Sequence, residues 1–489
     1  MSGKVAIIVG SEQKGLYTSL GIQLSDCCEV LYLADSKDGS NVIKRICKPW
    51  EPLVQLIPNF RLKPSPLQDT IRRATDKENQ YGITYSEIIS SDRGLGRGYL
   101  GNVDGYPWIK RANWTFEEKL ECINKQFDFY ENVQNGVSLL ISQYPQLIPS
   151  LVCEHRSIGH VHLLQARYGE RMVWSDGSRF MSANYRDELS KNLAELHSSN
   201  LESFNTKSHY QVDVPGAKLI KEQEKFFSLK GTTQLIIRQL YARSLRLVLG
   251  RWKQNSYTPF SWLRVLASRY IHYKYITKNS VHPNQFCDGG IVYFPLQMEP
   301  EIGMLQFSRE FSNVFEAISW TSRALPSNKT LIVKENPRVF GHRNKLFYKK
   351  LIAMGNVRFS APNVSSDKWI SKSSFVVTIS GTVGEEAVYH KKPLMTFGRH
   401  NIVNSLPSVS VVATYEQVRD ATDRILKQQV TERELRVSEL ALRKTLLSLS
   451  FELEGYSSNY DSDSLDERRS RIAIDELVRL HPRLLSTNL

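Results

Sequence analysis

The stretch that most restricts the fold runs from Ser373 to Phe397, S-S-F-V-V-T-I-S-G-T-V-G-E-E-A-V-Y-H-K-K-P-L-M-T-F. Phe375 to Ile379 is a short apolar run rich in β-branched residues, the pattern of a strand buried on both faces. Ser380-Gly381-Thr382 breaks that run, Gly384 to His390 has a helical pattern, and Pro393 precedes a second apolar strand, Leu394 to Phe397. A strand that turns through Ser-Gly-Thr into a helix presents backbone N–H groups and two hydroxyls at the positive end of the helix, a ready place for a phosphate. Glu385 and Glu386 lie one turn in, where they cap the helix or reach a ribose hydroxyl. The plainer alternative is that Ser380 and Thr382 only cap the helix and the glutamates only favour its dipole.

Short strands and helices alternate on both sides of this stretch. Strands are expected at Ile291 to Leu296, Leu331 to Lys334 and Val357 to Phe359. Helices are expected from a Ser308 cap to about Arg323, over Asn344 to Met354, and over Ser366 to Ser371. This spacing predicts a parallel sheet, and ligands of such sheets bind beyond the C-terminal ends of the strands. Gln297, Lys334, Asn336, Arg338, Ser380, Gly381, Thr382 and Glu386 all fall at or just past such ends, which argues for one shared site. There Lys334 would neutralise a phosphate, Ser380 and Thr382 would bind it, and Glu386 would accept from ribose. Arg338 or Arg343 would pair with a sugar carboxylate.

Four separated motifs in this half fall in order: G-G-I-V-Y-F-P-L-Q-M-E-P-E (Gly289 to Glu301), T-L-I-V-K-E-N-P-R (Thr330 to Arg338), S-G-T-V-G-E-E-A (Ser380 to Ala387) and K-K-P (Lys391 to Pro393). Together they resemble the capsule polysaccharide biosynthesis proteins of bacteria, a family that includes Kdo transferases. The resemblance covers roughly Gly289 to Pro407. It implies a GT-B-like α/β fold: two Rossmann-like domains facing a central cleft, the C-terminal one holding a nucleotide-sugar donor, with a C-terminal helix that often crosses back to the first domain. It also implies a glycosyltransferase whose donor is first expected to be CMP-linked and acidic, such as CMP-Kdo, with no other cofactor and no metal. The Ser380 to Pro393 pattern is similar as well to the nucleotide-binding segment of UDP-sugar 2-epimerases. One position departs from the family. Where many members have Lys-Glu-His-Pro, this chain has Lys334-Glu335-Asn336-Pro337, and Asn336 donates hydrogen bonds but carries neither proton nor charge to a phosphate.

In the N-terminal half, Lys4 to Val9, the turn Gly10 to Gly15, a helix near Leu16 to Ser25 and a strand at Glu29 to Leu33 form a Rossmann-like opening without a G-x-G-x-x-G signature. Trp50 to Glu78 reads as an extended loop or several short elements, and Phe116 to Tyr144 as amphipathic helix. Between them S-S-D-R-G-L-G-R-G-Y-L-G-N-V-D-G-Y-P (Ser90 to Pro107) carries five glycines. Asp92 is the candidate catalytic base beside this loop, with Lys334 as the second catalytic residue, and Arg93 and Arg97 are candidate acceptor-binding residues. The alternative is a wide turn with an Asp–Arg surface pair. His155, His160 and His162 do not share a helical face, so ordinary surface or core residues are expected there rather than a metal site.

Net charge is +14, and it is unevenly spread: Lys218 to Lys278 holds thirteen Lys or Arg against Glu222 and Glu224, a net of +11. Trp252, Trp262, Tyr270, Tyr273 and Tyr275 interleave these charges. Such helices lie on an anionic membrane surface, grip an acidic polymer, or simply expose a solvated basic face; no nucleic-acid recognition motif accompanies them. Six cysteines without zinc or disulfide spacing read as cytoplasmic thiols. The N-terminus does not read as a signal peptide, and no apolar run is long enough to span a bilayer, so the expected location is cytoplasmic, peripheral at the inner membrane. The expected organisation is an acceptor domain (1–215), a basic helical connector (216–284), a donor domain (285–430) and a helical tail (431–489). Two other functions fit the same residues: a nucleotide-sugar epimerase, which needs no acceptor, and a non-catalytic scaffold or export factor that binds acidic glycan.

Overall fold

The computed structural model describes residues 4–10, 13–48, 52–58, 65–92, 95, 114–133, 135–166, 168–176, 182–199, 201, 227–248, 261–299, 302–306, 308, 311, 313–336, 343–399, 402–455 and 463–480. Their strands form two seven-stranded sheets. The first contains β1 (Lys4–Val9), β2 (Glu29–Ala34), β3 (Leu53–Leu56), β4 (Val137–Ser142), β5 (Gly159–Gln165), β6 (Arg171–Asp176) and β14 (Ser450–Glu452), in the order β14-β6-β5-β4-β1-β2-β3. The second contains β7 (Ser280–Val281), β8 (Ile291–Pro295), β9 (Thr330–Lys334), β10 (Val357–Ser360), β11 (Ser373–Thr378), β12 (Leu394–Thr396) and β13 (Val409–Val411), in the order β13-β12-β11-β8-β9-β10-β7, every pair parallel.

The apolar runs form central parallel strands because both of their faces are covered. In β11, Phe375 and Val377 enter one core while Val376 enters the core on the opposite face; in β9, Leu331 and Val333 part from Ile332 in the same way. Each sheet reverses its winding once. β1, β2 and β3 run outward in one direction and β4 returns to the other side of β1; β8, β9 and β10 do the same and β11 returns beside β8. The C-terminal ends of β8 and β11 therefore flank an open crevice, the usual ligand position in such sheets.

Three expectations are corrected. Of the two readings of Trp50 to Glu78, separate elements replace the extended loop, but they include β3 and most of a fifteen-residue helix, α3 (Leu67–Tyr81), rather than short pieces alone. Only Thr70 and Ala74 of α3 are buried, so no apolar stripe announces it. Polar contacts to α5 (Phe116–Val133) hold it instead: Thr70 donates to Glu121 at 3.1 Å, Arg73 pairs with Asp128 at 2.5 Å, and Lys77 with Glu131 at 2.5 Å. The helix expected through Tyr144 ends at Val133, and Val137 onward is β4, whose apolar run satisfies either period. Ser308 is buried and caps nothing; α11 (Val314–Ala324) begins after Asn313, whose side chain accepts from the Glu316 N–H at 3.3 Å. The shorter α10 (Ile302–Leu305) precedes it.

Of the basic connector, α8 (Leu229–Val248) and α9 (Ser261–Lys278) are described, while 218–226 and 249–260, with Trp252, lie outside the described residues. The C-terminal end of α9 is anchored on the second sheet's domain: Ile276 joins its core, and His272 meets Tyr348 edge-on at 5.5 Å. The tail crosses back. α16 (Glu432–Leu449), opened by a Thr431–Glu434 capping box, packs with α7 (Ala183–Ser198) in the second domain's core. The chain then adds β14 antiparallel to β6 and lays α17 (Glu467–Leu480) on α1 (Lys14–Leu24) of the first domain. Two Rossmann-like halves joined by this return make a GT-B-like α/β fold.

The crossing is fixed by Trp174 of β6, buried and donating from Nε1 to the Ala473 carbonyl at 2.7 Å. Trp174→Phe leaves that carbonyl unsatisfied and a void beside Leu477, and is expected to lower unfolding free energy by about 1–3 kcal/mol. Urea denaturation checks this; an unchanged midpoint would show that the tail adds nothing to the first domain.

Candidate functional site

The site is built around the turn after β11. Gln297, two residues past β8, holds it from the side: its Nε2 donates to Ser380 Oγ at 3.2 Å and its Oε1 accepts the Ser380 N–H at 3.4 Å. Ser380 Oγ in turn donates to the Gly303 carbonyl of α10 at 2.8 Å, and the Gly381 N–H donates to Thr378 Oγ1 at 3.1 Å. A Cβ at Gly381 would sit 3.0 Å from Thr378 Oγ1 and 3.2 Å from Gln297 Nε2, so only glycine lets the turn close this tightly. Ser380 and Gly381 are thus engaged within the protein. Thr382 is different: it is exposed, starts α14 (Val383–Tyr389) in helical geometry, and its hydroxyl makes no capping bond.

Lys334 ends β9, two strands from the turn. It is 7 % exposed, and its ammonium makes no hydrogen bond or ion pair among the described residues. Burial lowers its pKa from 10.5 to about 8, against the opposing pull of the nearby Glu386 carboxylate. Glu386 is half-buried, and its charge also reaches Tyr293, whose hydroxyl donates to Ser366 Oγ at 2.9 Å. Asn336 follows, half-buried, its N–H donating to Glu335 Oε1 at 2.8 Å. Arg338 lies outside the described residues.

Sequence reasoning missed the cluster beneath these residues. Arg343 is 1 % exposed, and all of its described polar contacts run inward. Its Nε donates to Glu299 Oε2 at 2.6 Å, its Nη2 to the Gln297 carbonyl at 2.6 Å, and its Nη1 to Glu335 Oε1. Tyr348 donates to the other Glu335 oxygen at 2.6 Å. Arg343 is therefore not open to a sugar carboxylate, and that expected role is withdrawn: two buried carboxylates already hold its fork. Burial raises the pKa of Glu299 while Arg343 opposes the rise, and Glu299 Oε1 has no hydrogen-bond partner among the described residues. The available signal was position, since Glu335 directly follows the end of β9 and Glu299 lies four residues past the end of β8.

Across the crevice, Asp92 ends α4 (Tyr85–Ser91) and accepts the Leu95 N–H at 2.7 Å, fixing the first turn of the Gly-rich segment. α4 lies against α10, the helix that receives the Ser380 hydroxyl, so Asp92 and the Ser-Gly-Thr turn share one neighbour. Arg93 and Arg97 lie outside the described residues. His160 is a core residue: Ser142 Oγ and Ser150 Oγ lie 2.8 and 3.0 Å from its two ring nitrogens, and burial lowers its pKa to about 3, so it is neutral.

No curated protein sequence matches the chain. Among solved structures it resembles the UDP complex of MnaA from S. aureus (12% identity, 99% of this chain and 98% of that one, TM-score 0.30) and the UDP-GlcNAc 2-epimerase of Neisseria meningitidis bound to UDP-GlcNAc (10%, 97% and 100%, TM-score 0.30). It also resembles KpsC, the beta Kdo 2,7 transferase of Thermosulfurimonas dismutans (15%, 73% and 94%, TM-score 0.35). These scores are too low to carry an argument about activity. The family model described as capsule polysaccharide biosynthesis protein matches residues 253–403. Over that stretch, which holds all four motifs and the Gln297, Lys334 and Thr382 side chains, the chain is similar to the capsule polysaccharide biosynthesis family.

Proposed function

We propose that the protein is a glycosyltransferase of surface-polysaccharide assembly that binds a nucleotide-sugar between β8, β9 and β11. The observation that carries this reading is Lys334, an ammonium buried at a strand end and lacking a hydrogen-bonded or ion-paired partner among the described residues. Burying a charge costs free energy unless a counter-charge arrives, and a donor phosphate between Lys334 and the exposed start of α14 would supply it. In the proposed reaction an acceptor hydroxyl attacks the anomeric carbon of the sugar and gives its proton to Asp92. The bond from that carbon to the phosphate oxygen breaks, and the nucleotide leaves with the electron pair. Lys334 and Thr382 stabilise the charge gathering on that oxygen, Glu386 accepts from ribose, and Asn336 donates to the donor. Gln297, Ser380 and Gly381 shape the turn. Arg338 is assigned to the donor and Arg93 and Arg97 to the acceptor, a glycan or lipid-linked sugar. A CMP-linked acidic sugar is the first donor to try. Turnover of a nucleotide-sugar without acceptor would instead favour an epimerase, and glycan binding without turnover a scaffold.

The connector is proposed to meet anionic lipid at the cytoplasmic face. Along α8, Ile237 (61 % exposed), Leu240 (50 %) and Tyr241 (70 %) share one helical face beside exposed Arg238, in a segment of net +11. The six free cysteines fit a reducing compartment.

Two outcomes are expected. Melting curves with CMP, UDP and GDP should show one nucleotide raising Tm, and Lys334→Met should abolish the shift. Ligand-free Lys334→Met should melt higher at pH 7, by on the order of 1–3 kcal/mol, because the lysine pKa is depressed and the charged form costs stability below about pH 8. That cost lessens as pH rises from 8 towards 10.5, where the unfolded chain binds the extra proton, so the advantage of methionine should shrink over the same range. Nucleotide affinity of the parent should fall above pH 8; an equal shift in Lys334→Met would remove Lys334 from the site. In flotation assays the full chain should bind vesicles containing phosphatidylglycerol and not neutral ones, and Ile237→Asp/Tyr241→Asp should float far less. Equal recovery of the variant would sink the lipid reading.

A further inference from the structure

We infer that Arg343 is a positioning residue of this site, a buried clamp that sets Lys334 and Thr382 at the spacing a donor phosphate requires without itself touching the donor. The inference rests on the reading of the crevice as a nucleotide-sugar site. Two lines of contact leave the guanidinium. One runs from Nη1 to Glu335 and from Glu335 to the Asn336 N–H, so it fixes the backbone directly after Lys334. The other runs from Nη2 to the carbonyl of Gln297, whose side chain holds both the hydroxyl and the N–H of Ser380. Nε and Nη2 meet Glu299 at 2.6 and 2.5 Å, which keeps the fork from turning. One planar group thereby ties the end of β8, the end of β9 and, through Gln297, the turn after β11.

The chemistry is more than the fold alone needs. A buried ion cluster stabilises no better, and often less well, than apolar residues of similar volume, so stability does not explain its place here. What a fork of fixed N–H directions supplies, and an apolar packing does not, is a defined angle between three acceptors. The cluster is also incomplete as a structural feature: one guanidinium faces two carboxylates, and Glu299 Oε1 finds no partner among the described residues. Buried networks left short in this way are common where geometry serves a site.

The test uses the full chain carrying Arg343→Lys, Gln297→Ala or both, with Trp369→Phe as a core change away from the clamp. Titration with CMP, UDP and GDP gives affinity, and amide hydrogen exchange of the ligand-free protein reports the turn. In Arg343→Lys, still folded by circular dichroism, the Ser380 and Gly381 amides should exchange at least tenfold faster while those of β8 and β9 keep their protection. Affinity for the nucleotide that binds should fall at least tenfold. The double variant should lose less than the sum of the two single losses, because both share the path through Gln297 to the turn. Trp369→Phe should leave affinity and turn exchange unchanged. Parent-like exchange at Ser380 and Gly381 in Arg343→Lys, or additive losses in the double variant, would overturn the clamp. Should Arg343→Lys fail to fold, Gln297→Ala decides alone: it must free the Ser380 amide, or the clamp has no path to the turn. If the parent binds none of the three nucleotides, the donor reading fails, and the exchange data still judge the clamp.

Discussion

Gln297 spans the point where the winding of the second sheet reverses, and the site depends on that one side chain. β8 and β11 run side by side, yet their chains leave in different directions, so nothing in the sheet itself ties the segments beyond their ends. The Gln297 amide closes the gap by taking both polar groups of Ser380, and Gly381 lets it come within contact distance. The turn then hands Thr382 to the solvent at the residue just before α14. A carboxamide does this where a charged side chain would not, because it offers a donor and an acceptor at once and brings no charge to a place meant for an anion.

The five strands β8 to β12 of the second sheet were legible because they are short apolar runs bounded by turn residues and alternating with helical patterns, whereas β7 and β13, two and three residues long, left no such signal. The placing of Gln297, Lys334, Asn336, Ser380 and Thr382 at strand ends follows from the same reading. What each side chain does was not legible. Ser380 and Thr382 look alike in sequence, but one is drawn inward by the Gly303 carbonyl and the other is not, and that depends on α10, four residues of no clear pattern. Arg343 illustrates the same limit. An arginine near a sugar site invites a ligand role, and only the spatial meeting of Glu299 and Glu335, thirty-six positions apart, shows that its donors are already engaged.

α3 of the first domain was harder to read because polar contacts replace apolar ones there. α3 is held by Glu121, Asp128 and Glu131 of α5, so its buried face is charged and mimics a solvated one. The strand in the tail was unreadable for a different reason. β14 is three residues long, and what fixes it is pairing with β6 nearly three hundred positions earlier, a non-local contact that leaves no mark on local composition. The same crossing puts α7 in the second domain's core although it precedes the connector, with Tyr185 donating to the Ile402 carbonyl at 2.9 Å. The two halves are therefore interleaved in sequence while each keeps its own sheet.

Charge is arranged differently at the crevice and along the connector. At the crevice, Lys334 and Arg343 face Glu299, Glu335 and Glu386, so the described site is not strongly positive and has no long reach for an anion. On the proposed reading, recognition there comes from contact: a desolvated ammonium acting at short range, where the low surrounding dielectric strengthens it. The connector is the reverse, holding +11 of the chain's +14 between Lys218 and Lys278, and the field of such a charge extends about a Debye length, roughly 8–10 Å at physiological salt. Attraction at a distance and recognition on contact thus lie on different elements. α9 joins them physically, since His272 packs on Tyr348 and Tyr348 donates to Glu335, which holds Arg343. Under the proposed contact of the connector with anionic lipid, the crevice would be carried with it, in an orientation that the α9 anchor determines.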